Sequence, residues 1–253
     1  MKANLISMNI LVDSSGSMES IASDMVGGLN QLVDENRELD VLVTYSIFSN
    51  AYQPLFADKP IKETERFQLR PSGCTALIES AHKMIDEVGA RLAAKSEGER
   101  PEKVMFVIVT DGEENASAPE YTLEGLKAKI KKQTEVYNWV FLYLGADQDA
   151  ISVAASYGID ASKAVAYARA SSRKTGDVLA EKMRMMNEYR AAELQNIKFD
   201  DKDRADLGEP KNQNESSQKG TENDDDTPSS QDRTPTQPLK FLRRFVAGLF
   251  RKR

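Results

Sequence analysis

Apolar runs alternate with amphipathic stretches along the first 198 of the 253 residues. Continuous apolar runs, typical of strands buried on both faces of a parallel sheet, lie at residues 6–12, 41–48, 104–110 and 136–144. Helical spacing of apolar side chains occurs at residues 18–38, 75–94, 123–132, 149–157 and 176–192. Segments 52–56 and 164–167 predict an edge strand and a short last strand. This order predicts an α/β fold: a doubly wound, mostly parallel sheet with helices on both faces.

Polar side chains follow two of the predicted strands. In sheets of this kind, ligands bind beyond the carboxyl ends of the strands, and these ends carry Asp13 and Asp111. After Asp13, Ser15 and Ser17 place two hydroxyls at alternating positions, and Gly16 allows a sharp turn that lets them converge. Carboxylate and hydroxyl oxygens suit a hard cation such as Mg²⁺, which takes about six oxygen ligands and usually keeps some waters.

These residues resemble the metal-ion-dependent adhesion site (MIDAS) of the von Willebrand factor type A (vWA) family. The family motif is Asp-x-Ser-x-Ser, then a Thr in a Gly-rich loop that opens a helix, then an Asp that ends a central strand. Asp13, Ser15 and Ser17 match the first part, Thr75 lies in a loop like the second, and Asp111 lies in the sequence Thr-Asp-Gly. The resemblance covers about the first 190 residues. It implies a Rossmann-like vWA fold and indicates an intracellular bacterial or phage-like member.

The resemblance also implies a chemistry for the site. A divalent cation, Mg²⁺ or in its place Mn²⁺ or Ca²⁺, would be held by Asp13, Ser15, Ser17, Thr75 and Asp111. The remaining coordination position would take an acidic side chain of a protein partner, which is binding and not catalysis. Cys74 departs from the family pattern, in which many members carry Gly, and we expect it to be a small buried residue that fills loop space.

Simpler interpretations of the same residues stay open at this point. Asp13 and the serines that follow it could cap the next helix, and Thr-Asp-Gly could be a strand-to-loop turn. Residues 113–115 are expected to form a solvated loop, with the alternative that Glu113 lies at the rim of the site or supports one of its ligands. Asp147, beyond the next strand, is expected to be a helix cap.

We also considered enzyme classes, and we expect no enzyme. A haloacid-dehalogenase phosphatase needs a second Asp where Ser15 stands. A serine hydrolase needs a G-x-S-x-G turn, and the chain has neither this turn nor a Walker A sequence. A metal-dependent phosphoesterase that uses the same oxygen ligands remains the alternative.

Composition excludes several further classes. The net charge of −6 argues against nucleic acid as a partner. One cysteine and one histidine exclude an internal disulfide, a Cys-cluster zinc site and any site built from several histidines. No run reaches the roughly 18–20 apolar residues of a membrane span, and no secretory signal is visible. The expected location is the cytoplasm, either free or peripheral at the inner membrane surface.

The composition changes after residue 198. Residues 199–238 are almost free of apolar side chains and are predicted to be a disordered acidic linker. Residues 239–253 are predicted to form a basic amphipathic helix. Its apolar side chains are Leu239, Phe241, Leu242, Phe245, Val246, Leu249 and Phe250. This helix could lie on an anionic membrane surface, dock in a groove of a partner, fold back on its own acidic linker, or stay solvated. With this helix as a second attachment, the protein would be an adaptor or scaffold. Alternatively, it would be a membrane- or shell-associated scaffold whose function depends mainly on the tail.

Overall fold

The computed structural model describes residues 1–146 and 149–209. Its strands are β1 (Lys2–Asp13), β2 (Val41–Phe48), β3 (Tyr52–Pro60), β4 (Pro101–Thr110), β5 (Val140–Ala146) and β6 (Ala164–Tyr167). Its helices are α1 (Ala22–Glu35), α2 (Leu77–Ala94), α3 (Leu123–Tyr137), α4 (Ala150–Ser156), α5 (Thr175–Glu188) and α6 (Asp201–Leu207). Short 3-10 turns connect several of these elements.

The strands form one sheet in the order β3-β2-β1-β4-β5-β6. All neighbouring strands are parallel except β3, which runs antiparallel to β2 at the edge. The predicted doubly wound, mostly parallel sheet is therefore confirmed. Because β1 lies in the middle, its last residue, Asp13, is flanked by the carboxyl ends of both β2 and β4.

A separate apolar core covers each face of the sheet. Side chains along each central strand alternate between the two cores, as the period-two geometry of a strand requires: Ile10 and Val107 face one core, and Leu11 and Ile108 face the other. Helices α1 and α5 cover the first face, and α2, α3 and α4 cover the second. With both faces covered, the carboxyl edge is where loops can expose polar groups.

Some boundaries differ from the sequence prediction. A strand was expected from residue 136, but α3 continues to Tyr137 and leaves Val136 and Tyr137 exposed. Asn138, in the left-handed conformation at φ 56°, ends this helix. The helix predicted over residues 18–38 begins only at Ala22, after a 3-10 turn, and α5 ends at Glu188 rather than at residue 192.

The largest difference lies at the end of the domain. The sequence predicts its boundary at residue 198, but helix α6 (Asp201–Leu207) lies beyond that point and packs on the domain. The segment has few apolar residues, yet Leu207 is fully buried and the Asp200 carboxylate caps the helix by accepting from Asp203 N. A buried ion pair between Asp203 and Lys182 of α5 attaches the helix further. The rest of the predicted linker, 210–238, and the predicted helix 239–253 lie outside the described residues.

None of the helices in the described ranges is long and apolar enough to cross a membrane.

Candidate metal site

Three loops meet at the carboxyl edge of the sheet, and they carry all five residues that the sequence singled out. Asp13 ends β1, Ser15 and Ser17 lie in the turn after it, Thr75 precedes α2, and Asp111 follows β4. Backbone hydrogen bonds join the first two loops, from Gly16 N to Gly73 O (3.1 Å) and from Ser72 N to Ser14 O (2.7 Å). The fold thus brings together side chains that are up to 98 positions apart in the sequence (111 − 13 = 98).

The Asp13 carboxylate is fully buried and held on both oxygens. Its Oδ1 accepts from Ser15 N at 2.7 Å, and its Oδ2 accepts from Thr110 Oγ1 at 2.7 Å. Burial raises the pKa of Asp13 above its ordinary value, although these hydrogen bonds oppose the shift. The charged form of Asp13 therefore carries a desolvation cost that a cation beside it would offset.

A chain of hydrogen bonds links the two serines to the second carboxylate. Ser15 Oγ and Ser17 Oγ are 3.0 Å apart, and Ser17 Oγ donates to Asp111 Oδ1 at 2.8 Å. Ser15 occupies the N-cap position of the following 3-10 turn (Gly16–Ser20), but its side chain makes no capping hydrogen bond there. The helix-cap alternative therefore does not account for these side chains.

Oxygens from two of the loops converge on the space beside Gly112. A Cβ atom at this position would lie 3.3 Å from Thr75 Oγ1, 3.6 Å from Ser17 Oγ and 4.0 Å from Asp13 Oδ2. Glycine leaves the space open, and the third loop contributes the neighbouring Asp111. Two carboxylates and three hydroxyls around one such space form the donor set that a hard divalent cation prefers.

Arg169, in the turn after β6, contacts two of the candidate ligand residues. Its Nη1 lies 2.9 Å from Asp111 Oδ2 and donates to Ser17 O at 3.1 Å. Asp111 Oδ2 is buried, and its contact with Arg169 is an ion pair that lacks hydrogen-bond geometry, so this oxygen has no hydrogen-bond partner among the described residues. The sequence analysis missed Arg169 because no local motif marks it, and only the fold brings it to Asp111.

Glu114 and Asn115 position the Thr75 loop. Asn115 is exposed, as expected of a solvated loop at residues 113–115, whereas Glu114 is half-buried, so the prediction is wrong for Glu114. Asn115 Oδ1 accepts from Thr75 N at 2.8 Å, and Asn115 N donates to Thr75 O at 3.0 Å. Glu114 Oε2 accepts from Ile78 N at 2.7 Å, which satisfies an amide at the start of α2. Glu113 is exposed. The sequence did carry a signal for these contacts: acidic and amide side chains directly follow Thr-Asp-Gly, and such side chains commonly accept hydrogen bonds from the free amides at helix N-termini.

Cys74 is exposed, and the prediction of a buried filler residue is wrong. Gly73 has φ +77°, and Cys74 N donates to Asn50 Oδ1 at 2.6 Å, so the loop directs the Cys74 side chain outward. Asp147, the other predicted cap, lies outside the described residues. The side chain of Asp149 caps α4 by accepting from Ser152 N.

Comparison with solved structures finds similar folds at low sequence identity. Proximal thread matrix protein 1 from the mussel byssus is 13% identical with a TM-score of 0.52, and the match covers 73% of this chain and 47% of that one. A structure of the byssus protein with a zinc-occupied MIDAS motif has 14% identity, TM-score 0.48, and coverage of 74% and 46%. A von Willebrand factor type A protein from Catenulispora acidiphila has 13% identity, TM-score 0.47, and coverage of 72% and 43%. The chain thus spans less than half the length of these two proteins.

No family model matches the sequence, and the search of curated proteins found no match. The evidence for the fold is therefore structural: the strand order, the antiparallel edge strand, the helices on both faces and the likeness to the byssus protein. On these grounds, the chain has the fold of the von Willebrand factor type A domains.

Proposed function

We propose that this domain is a non-catalytic protein-binding module that depends on a divalent cation. Asp13, Ser15, Ser17, Thr75 and Asp111 would hold the cation, Mg²⁺ or in its place Mn²⁺ or Ca²⁺, and a partner protein would add an acidic side chain. The observation that carries the proposal is the convergence of two buried carboxylates with three hydroxyls from three loops, of which only the Ser17 hydroxyl belongs to an exposed residue. Within the described ranges Asp13 forms no ion pair, so its buried charge is one that a cation would compensate.

The donor chemistry supports a hard cation. The described residues contain no group of three or more His, Cys, Asp or Glu that could hold a metal ion. The candidate ligands are instead two carboxylates and three hydroxyls, which favour Mg²⁺, Mn²⁺ or Ca²⁺ over metals that need thiolate or imidazole. When bound, the cation would supply the positive charge that attracts a carboxylate. The chain's own groups orient the ligands: Ser15 N and Thr110 hold Asp13, and Arg169 and Ser17 hold Asp111.

The surroundings of the site favour binding over catalysis. A phosphoesterase needs a general base within hydrogen-bond reach of the reacting water. His82 is engaged elsewhere, with its Nε2 3.2 Å from Thr122 O. Both oxygens of Glu114 accept hydrogen bonds from groups at the start of α2 and in its own loop. Phosphoester turnover that is lost in an Asp111→Asn variant would overturn this part of the proposal.

The test of the function is cation-dependent capture of a partner, followed by reconstitution. The full chain is immobilised and exposed to an extract of its source cells in Mg²⁺ and then in EDTA, with Asp13→Asn as the matched control. We expect a protein that is retained only by the wild type in Mg²⁺. The purified partner should bind with the same dependence, and acid-to-amide changes at its contact site should abolish binding. Partner binding that is equal in EDTA would contradict the proposal.

Asn115→Ala is expected to weaken cation binding although Asn115 is not a ligand. Its side chain fixes Thr75 N, so its loss lets the Thr75 hydroxyl leave the site. Removing a group that orients a metal ligand typically costs about 10–100-fold in metal affinity. Calorimetric titration with Mn²⁺ measures the change, and Asn115→Asp, which keeps the accepting Oδ1, should retain most of the affinity. Equal affinities for wild type and Asn115→Ala would show that the loop does not depend on this contact.

We include the C-terminal segment in the proposal as a second binding element, separate from the cation site. Residues 239–253 combine six basic residues with an apolar face, which suits an anionic membrane surface or a partner groove. The adaptor or scaffold role would follow from joining this attachment to the cation site. The segment lies outside the described residues, and the proposal for it depends on sequence alone.

A further inference from the structure

A groove begins beside the candidate metal site and runs toward the edge strand β3. At the end near the site it is lined by Ser14 and Ser72, which are joined by the backbone hydrogen bond described above. Ser14 stands between two candidate ligands in the chain, and its hydroxyl donates to Phe48 O at 3.0 Å. The cavity volume is about 530 Å³. A segment of a partner that reached the cation would therefore be able to continue into this groove.

The lining of the groove is mixed: most positions are polar, and an aromatic cluster with the exposed Leu55 forms its apolar part. Tyr45, Phe56 and Phe67 pack against one another, with the Tyr45 and Phe67 ring centroids 4.5 Å apart and the Tyr45 and Phe56 centroids 5.8 Å apart. Leu55, also in the lining, is 41% exposed and is one of four exposed large hydrophobic residues in the described part of the chain. An apolar side chain of a partner would cover Leu55 and remove this surface from water.

The edge strand itself is a poor template for a partner strand. Pro54 lies within β3, and the pairing with β2 shifts register twice. Proline and irregular pairing protect sheet edges against added strands. The groove therefore favours recognition by inserted side chains, and not by backbone pairing along β3.

The uncompensated charge of the groove is positive. Glu65 pairs with Lys59 at 2.7 Å, and Arg66 pairs with Asp34 at 2.7 Å. Arg70 is exposed, lies two residues before Ser72, and has no ion pair or hydrogen bond within the ranges that the structure describes. A partner complementary to this end of the groove would carry negative charge.

We propose that the groove binds an extended segment of the partner protein that carries an apolar side chain and a second acidic side chain. The first acidic side chain would reach the cation, the apolar one would pack on Leu55 and Phe56, and the second acid would pair with Arg70. This inference rests on the proposed function, because the cation anchors the segment. It adds a chemical pattern for the partner: two acidic side chains and one apolar side chain within one short extended stretch.

The pattern can be tested by selecting random peptides, displayed on phage, for binding to the full chain in the presence of Mg²⁺. We expect the selected peptides to share an apolar residue with acidic residues near it and to lose binding in EDTA. Leu55→Ser should weaken the binding of a selected synthetic peptide about tenfold, as expected for one apolar contact of this size, and Arg70→Gln should weaken it about threefold, as expected for one exposed ion pair. Val136→Ser and Lys132→Gln on α3 are the matched controls, because they remove one exposed apolar and one exposed basic side chain at positions outside the groove. These two variants should bind the peptide as tightly as the wild type does.

The outcomes separate this inference from the proposed function. Calorimetry with Mg²⁺ on the same proteins should give one affinity for wild type, Leu55→Ser and Arg70→Gln. If Mg²⁺ binds but no peptide is selected, or if the groove variants bind the peptide as tightly as the α3 variants do, the groove inference is overturned and the cation site stands. Peptides that bind equally in EDTA overturn the inference as well. If wild type binds no Mg²⁺, the proposed function itself fails.

Discussion

Asp203→Ala is expected to lower the free energy of unfolding by about 3–5 kcal/mol, the usual cost of removing one partner from a buried ion pair. Asp203 of α6 and Lys182 of α5 are 2% and 1% exposed, and Asp203 Oδ2 lies 2.5 Å from Lys182 Nζ. The alanine would leave the Lys182 ammonium buried without its carboxylate. It would also remove the acceptor for Asp200 N and so weaken the start of α6. For a domain of this size the loss corresponds to a fall in Tm of roughly 6–20 °C.

Two controls make this prediction specific. Asp206→Ala breaks the exposed pair of Lys202 and Asp206, whose side chains are 73% and 48% exposed, and should cost less than about 1 kcal/mol. The double variant Lys182→Met, Asp203→Leu removes both buried charges and should recover most of the lost stability. Urea unfolding followed by circular dichroism measures all three variants. If Asp203→Ala costs no more than Asp206→Ala, the buried pair does not hold α6 in place.

The architecture could be predicted because its signal is local and repeated. Four continuous apolar runs separated by helical spacing indicate a covered parallel sheet before any long-range contact is known. The candidate ligands could be located for a related reason. Parallel strands point their carboxyl ends the same way, so Asp13 and Asp111 had to share one edge once β1 and β4 were recognised.

The groups that support the site could not be predicted, because their roles depend on tertiary contacts. Arg169 meets Asp111 only when β6 lies at the far edge of the sheet, and nothing near it in the sequence marks this. Asn115 looked like a solvated loop residue because its partner, Thr75, lies 40 positions away. Helix α6 was missed since a polar segment with few apolar residues resembles a linker, while burial of Leu207 and the ion pair of Asp203 are long-range effects.

Asp13→Asn is expected to abolish measurable cation binding without harming the fold. The substitution removes a negative charge from the centre of the proposed site, and the loss should exceed the roughly 100-fold upper range for residues that only orient a ligand. The amide has nearly the shape of the carboxylate, and its oxygen can still accept from Ser15 N or Thr110 Oγ1. Calorimetric titration with Mg²⁺ and with Mn²⁺ measures the affinity. An unchanged affinity would place the cation elsewhere.

Thermal stability in EDTA separates an effect of Asp13→Asn on cation binding from an effect on folding. The variant is expected to lose cation binding but not to lose stability. Because burial raises the pKa of Asp13 in the folded protein, its ionisation opposes folding, and this penalty grows as the pH rises through the raised pKa. Asp13→Asn removes the penalty, so its Tm in EDTA at neutral pH should equal or exceed that of the wild type. The advantage should shrink on acidification, when Asp13 becomes protonated. Added Mg²⁺ should raise the Tm of the wild type alone.

The most direct test of the cation site is the location of Mn²⁺ in crystals of the domain, from anomalous scattering measured at the manganese edge. The proposed site predicts one strong peak beside Gly112, within coordination distance of oxygens from Asp13, Ser15 and Ser17, and within reach of Thr75 and Asp111 directly or through a water. The same crystals of Asp13→Asn should lack the peak. A peak at any other place, or none at Mn²⁺ concentrations that saturate the calorimetric signal, would contradict it.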